Sequence, residues 1–238
     1  TEVFMSDVLR TNSLLWVALL FAVVVVIVGK RRGVSSLIGL VITLAILFGV
    51  IIPKILAGSD PVAVTIFGSA VILLVNLHIT HGFNKQTFSA YLSTLAGLLL
   101  AWGFSAAFVS FSNLSGLASD ESSLLFLTID TINLPSGLLL AGFILGAVGV
   151  LDDIAITQTE TVAEIHDANP KLSNKQLYNK AMNVGRHHIA SVVNTLVLAY
   201  AGVALPMFLL FALRDDVSFL RLLNEEVIAV ELVRTLSG

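Results

Sequence analysis

The sequence has no cysteine and little charge. Without cysteine it can form no disulfide and no thiolate metal site. Charged residues make up 12% of its 238 positions, about half the share of an average soluble domain, which excludes a soluble globule with a large core. The net charge of −3 leaves no basic footprint for nucleic acid. The stretch 110–134 has no Lys or Arg at all. The sequence has no HExxH and no recognisable nucleophile–base motif, so an enzyme is not expected. The first apolar run has no basic region before it and no small-residue cleavage site, so no removable signal peptide is expected.

What is present is apolar. Hydrophobic residues account for 56% of the chain, mean hydropathy is +0.94, and the apolar residues come in runs long enough to cross a bilayer. The expected fold is all-α: a polytopic transmembrane bundle in one domain, residues 1–238. Six spans are expected at about 13–29, 34–52, 61–79, 88–109, 136–160 and 189–213, with amphipathic surface helices at 173–185 and at 217–236, where Leu220, Leu223, Val227, Val230 and Val233 share one side and Glu225, Glu226, Glu231 and Arg234 lie largely away from it. Pro53 should end the second span, and Pro61 should start the third. Lys30, Arg31 and Arg32 form the densest basic cluster and should lie inside, which puts the N-terminus of this chain outside. The chain begins at Thr1 and stops at Gly238 just past an amphipathic stretch, as a piece of a longer protein would.

Residues 136–166, SGLLLAGFILGAVGVLDDIAITQTETVAEIH, are the organising stretch. They begin as a membrane helix and turn acidic without a helix breaker. Gly142, Gly146, Gly149, Asp153, Thr157, Glu160 and Glu164 fall on one narrow helical face. The glycines would admit another helix closely. Sixteen residues precede Asp152 within this stretch, about 24 Å of helix, so Asp152 and Asp153 should fall within a core of about 30 Å. Ionisable groups there usually face a bundle interior or a water path, and adjacent carboxylates favour a shared or transferable proton. The alternative is that the span ends at Leu151 and the acids sit among headgroups. Glu160 would be an inner exit, and Glu164 reads as solvated.

Other polar residues leave alternatives open. His78 and His81 have a spacing that can place both on one metal, but with no acid or third His near them in sequence they read as an interfacial pair. A metal site joining His166 to the acids is a weak signal, and no metal or other cofactor is expected. Ser173 should cap the helix that follows Pro170. Asn183, Arg186 and His187 form a polar cluster where the last span enters the membrane. Arg186 reads as an interface anchor or as a partner for Glu160 or Glu164. Asn194 and Thr195 interrupt an apolar run, and on a continuous helix His187, Asn194 and Ala201 share a face. Asn194 either bonds another helix or lines a path facing Asp153.

Two stretches carry a family resemblance: GAVGVLDDIAITQTETVAEI and LSNKQLYNKAMNVGRHHIASVVNTLVLAYAGVALP. They resemble the signature half of the YibE/F-like bacterial membrane proteins, and LRTNSLLWVALLF, GKRRGVSSLIGL and IIPKILAGSDP fit the earlier half. Ala181 stands where that family often has Gly, and Asp152 makes a pair where one Asp is usual. The resemblance implies an outside domain before the first span and further spans after residue 238. It implies no established activity. A second, weaker resemblance is to the Asp-Asp helix of resistance–nodulation–division exporters and of SecD/SecF-type membrane domains. It implies that Asp152 and Asp153 relay protons. Those exporters use a basic partner, and no Lys lies inside any expected span here.

The expected function is a proton- or ion-coupled transport module in a bacterial cytoplasmic membrane. Asp152, Asp153, Glu160, Asn194 and Thr195 would make its path. The alternative is a non-transporting assembly or translocation-accessory module in which Gly142, Gly146 and Gly149 pack a partner helix. The expected surroundings are the lipid bilayer and, among proteins, a second copy or another membrane subunit.

Overall fold

The computed structural model of the chain describes residues 10–128, 135–213, 221 and 224–237. Among the described residues there are helices and turns and no strand. Seven helices result: α1 (Thr11–Leu56), α2 (Pro61–His81), α3 (Lys85–Phe111), α4 (Asp120–Thr128), α5 (Pro135–Ala168), α6 (Asn174–Ala212) and α7 (Glu226–Ser237). Five of them, α1, α2, α3, α5 and α6, are long and apolar enough to cross a membrane.

α1 is not one straight rod. Lys30 takes φ 50° and ψ −128°, a conformation that side chains rarely adopt. The bend presses the carbonyl of Val25 against Gly33, where a Cβ would collide with it. Eight residues of straight helix would hold those two groups about 12 Å apart. The bend therefore divides α1 into two legs at the basic cluster. In the second leg, a π-helical turn at Leu47–Ile51 leads into Ile52–Leu56. Pro53 falls in the first turn after it and does not stop the helix, because a proline there lacks a donor that the wide turn leaves unused.

Local chemistry sets the next boundaries. The Asp60 carboxylate accepts from the Ala63 backbone N–H at 2.7 Å, with Pro61 at the first helical position. The Asn84 side chain accepts from the Thr87 N–H at 2.7 Å and donates to the His81 carbonyl at 3.0 Å. One amide thus joins the end of α2 to the start of α3. Ser173 and Gln176 form a capping box at the start of α6. No breaker follows before Pro206, and the helix continues through that proline, so residues 174–212 are one helix. The segment 173–185, expected as a separate surface helix, supplies its first turns.

α5 is the centre of the bundle, touching α2, α3, α6 and α7. Its inward side carries Ala141, Phe143, Ile144, Ala147 and Val148, all buried. Leu73, Leu98, Ile144 and Val148 form one core cluster, joining α2, α3 and α5. Val109, Leu114, Phe143, Val230 and Val233 form another at the opposite end from Lys30. Outward faces stay apolar: Trp16 is 71% exposed and Val203 77%. Apolar area on this scale would be insoluble in water and suits lipid.

α7 packs against α3, α5 and α6. The expected apolar partners Leu220 and Leu223 lie outside the described residues. Glu231 and Arg234, expected to face largely away, are half-buried instead. They pair at 2.7 Å, and the guanidinium sits 5.7 Å from the ring centroid of Phe143. A pair on an aromatic face can be covered where a lone charge cannot.

Candidate functional site

α2 and α5 both run toward the Lys30 end, and their polar residues meet there. The His81 Nδ1 lies 2.9 Å from Glu160 Oε1. A carboxylate can only accept, so Nδ1 carries the hydrogen, and the neutral ring keeps an accepting lone pair on Nε2. That Nε2 is buried and without a partner. The guanidinium of Arg32, just past the bend in α1, lies 3.8 Å from the same Glu160 oxygen. A cavity of about 240 Å³ between α2, α3 and α5 is lined by His81, Asn84, Thr87, Thr159, Glu160 and Asp167.

Asp152 lies two turns deeper along α5, about 12 Å from the level of Glu160. Its Oδ1 is buried and has no hydrogen-bond partner. Asp153 points elsewhere: its side chain is 65% exposed, and its Oδ2 lies 3.5 Å from His188 Nε2 on α6. Of the adjacent acids, Asp152 is therefore the one turned into the bundle.

α2 adds two polar groups that the sequence does not flag, Thr65 and Ser69, to Asn76, which lies near His78 and His81 at the inner end of the span. Thr65 and Ser69 are fully buried with unpartnered hydroxyls. Asn76 donates to Thr43 Oγ1 at 3.0 Å, and its own carbonyl oxygen is buried, unpartnered and close to Gly39. Residues 65, 69 and 76 share a helical stripe, and that spacing was the available signal.

The remaining candidates lie apart from this cluster. The glycine face looks toward α6. The Tyr200 hydroxyl lies 3.1 Å from where a Cβ on Gly146 would sit, and nothing lies within 4 Å of where a Cβ on Gly142 or Gly149 would sit. The buried positions along α6 are Ala181, Gly185 and Ala204, and His188, Val192, Leu196 and Tyr200, half-buried, continue the same stripe between them, with Ala201 half-buried at its edge. Asn194 is about 200° round the helix from Val192 and is exposed. Thr195 is exposed too and donates back to the Ser191 carbonyl at 3.0 Å. His187 is exposed, while Asn183 and Arg186 line a different cavity at the Lys30 end. His78 is not paired with His81: its Nδ1 is 2.7 Å from the Leu74 carbonyl, and its ring packs on Phe83. Among the described residues no three His, Asp or Glu side chains could hold a metal.

An apolar-surfaced helix bundle with an acid–imidazole cluster inside its central helix pair defines a polytopic membrane protein. The family model described as YibE/F-like protein matches residues 17–238. The chain belongs to the YibE/F-like family. No curated protein and no solved structure matches it.

Proposed function

We propose that the chain is a proton-coupled transport module of a bacterial cytoplasmic membrane, with the Lys30 end inside. The observation that carries this reading is the pair of buried, unpartnered atoms, Asp152 Oδ1 and His81 Nε2. Burying polar atoms without partners is costly, and a proton is the particle both groups can take. A proton leaving Asp152 would reach Nε2 through intervening water, since Asp152 and Glu160 stand about 12 Å apart along α5, and the Nδ1 hydrogen would pass to Glu160 at 2.9 Å. Glu160 opens on the cavity at the Lys30 end. Arg32 would favour release of that proton by stabilising the carboxylate. Asp153, facing His188, would supply Asp152 from the α6 side. Asn194 and Thr195 would line a path only if α6 turned or another helix covered them. Reconstituted into vesicles holding a pH dye, the chain should carry a proton current above that of empty vesicles under an imposed membrane potential. A current equal to that of empty vesicles would overturn proton conduction by this chain.

The assembly-module reading rests on a separate observation, the open space over Gly142 and Gly149. Close helix approach needs small residues with nothing already on them. On that reading, Gly142→Leu and Gly149→Leu would strip a second copy or partner subunit on co-purification, while Asp152→Asn would keep it. The reverse pattern removes the reading.

A further inference from the structure

A second cavity, of about 630 Å³, opens between the last turns of α5 and the first turns of α6. Lys180, Arg186, Asn179 and Asn183 line it, with Ile165 and Leu172 among its apolar walls. Residues 179, 183 and 186 recur at helical spacing, so one face of α6 presents these donors together. No carboxylate lines the cavity. Glu160 and Asp167, on the same stretch of α5, line other cavities instead. Among the described residues Lys180 and Arg186 are in no ion pair, and the side chains of Asn179 and Asn183 have no hydrogen-bond partner. The cavity therefore holds two basic side chains and three amides with no carboxylate among them, and of the amides only Asn169 is engaged, its oxygen accepting from the Lys171 N–H at 3.2 Å.

Its level in the bundle bears on what it would hold. Arg186, His187 and His188 end the polar part of α6, and residues 189–213 carry no charge. The cavity thus sits where polar helix gives way to apolar helix, the level of lipid headgroups when the apolar run is embedded. Its polar donors and apolar walls suit a group with an anionic head and an oily remainder.

We propose that this cavity binds an anionic phosphate group, with Lys180 and Arg186 as the charge partners and Asn179 and Asn183 as hydrogen-bond donors. Arginine matches phosphate with two parallel N–H donors, and lysine adds a point charge. Basic pockets between membrane helices have this recognition chemistry. The proposal is independent of the transport reading and of the His81 cluster.

The test uses the full chain in a zwitterionic detergent, titrated separately with dioleoylphosphatidylglycerol, dioleoylphosphatidylcholine and inorganic phosphate, with bound ligand counted by native mass spectrometry. The wild type should retain phosphatidylglycerol in preference to phosphatidylcholine. Lys180→Gln with Arg186→Gln should weaken that binding by about thirtyfold, taking each basic residue at its usual worth near an anionic surface. Lys85→Gln with Lys175→Gln, at the same end but outside the cavity lining, should leave it within about twofold, since it removes no direct contact. If inorganic phosphate binds with the same dependence on Lys180 and Arg186 and phosphatidylglycerol does not, the site stands and its source is a soluble phosphate. If the double variant binds phosphatidylglycerol as the wild type does, or if neither phosphate probe outbinds phosphatidylcholine, the proposal is wrong. Arg186→Gln alone gives the same reading if the double variant fails to fold.

Discussion

His81→Gln and Asp152→Asn should each cut the proton current of the reconstituted chain by about a hundredfold or more, the usual worth of a positioned proton-transfer group. The two substitutions keep shape and hydrogen-bonding capacity while removing the ability to take and release a proton. Glutamine at position 81 can still donate to Glu160, as the imidazole does at 2.9 Å. It cannot accept a proton on one atom and give one up from another, which is what a ring with Nδ1 on Glu160 and a free, buried Nε2 can do. Asparagine at position 152 keeps the volume of a group whose Oδ1 is buried. Asp153→Asn should cost less, because that carboxylate is mostly exposed and only 3.5 Å from a histidine outside the α2–α5 cluster. Proton current is read with the entrapped dye. Circular dichroism and gel filtration check that the variants fold and disperse as the wild type does. A current unchanged by His81→Gln removes the imidazole from the path. A current unchanged by both substitutions sinks the relay altogether.

The sequence made the helices legible because their boundaries are chemical. Apolar runs, Pro61, the Ser173 cap and the glycine-to-acid change along α5 are local signals, and the helices follow them. The facing of the helices was not legible. α6 is apolar on nearly every side beyond residue 188, so its own period cannot say which side turns inward. The sequence reading grouped His187, Asn194 and Ala201. The structure turns in the face one residue on, with His188 opposite Asp153. The partners of Glu160 were hidden for a different reason. His81 is 79 residues away along the chain, and Arg32 comes from the basic cluster that reads first as a topology anchor. Contacts of such separation are set by how helices pack and leave no periodic trace. The same limit hid the depth of α7: Glu231 and Arg234 read as surface charges until they meet each other on Phe143.

Gly116→Ala should destabilise the chain by about 3 kcal/mol, more than an ordinary loop substitution, because two penalties coincide there. Gly116 has φ +81°, a conformation that costs any residue with a Cβ. The added Cβ would also strike the backbone of Pro135, 2.5 Å from its carbonyl carbon, and sit 2.8 Å from the Ser136 nitrogen. Backbone cannot swing aside as a side chain tip can. The turn is also where three elements meet at the end away from Lys30. The Glu226 carboxylate at the start of α7 accepts from the Ser115 N–H at 2.6 Å, from the Ser115 hydroxyl at 2.8 Å and from the Gly116 N–H at 3.1 Å. Displacing Gly116 therefore loosens the hold on α7 as well as the start of α5. Thermal unfolding in detergent would show it, with Gly103→Ala as the control. Gly103 lies within α3 with nothing inside 4 Å of a new Cβ, so alanine there should be neutral or stabilising by up to about 1 kcal/mol. Equal unfolding temperatures for Gly116→Ala and the wild type would mean that this turn does not clasp α5 and α7. The His81–Glu160 cluster sits at the other end of the bundle. A folded Gly116→Ala chain should therefore keep its proton current below its unfolding temperature, which separates damage to the scaffold from damage to the path.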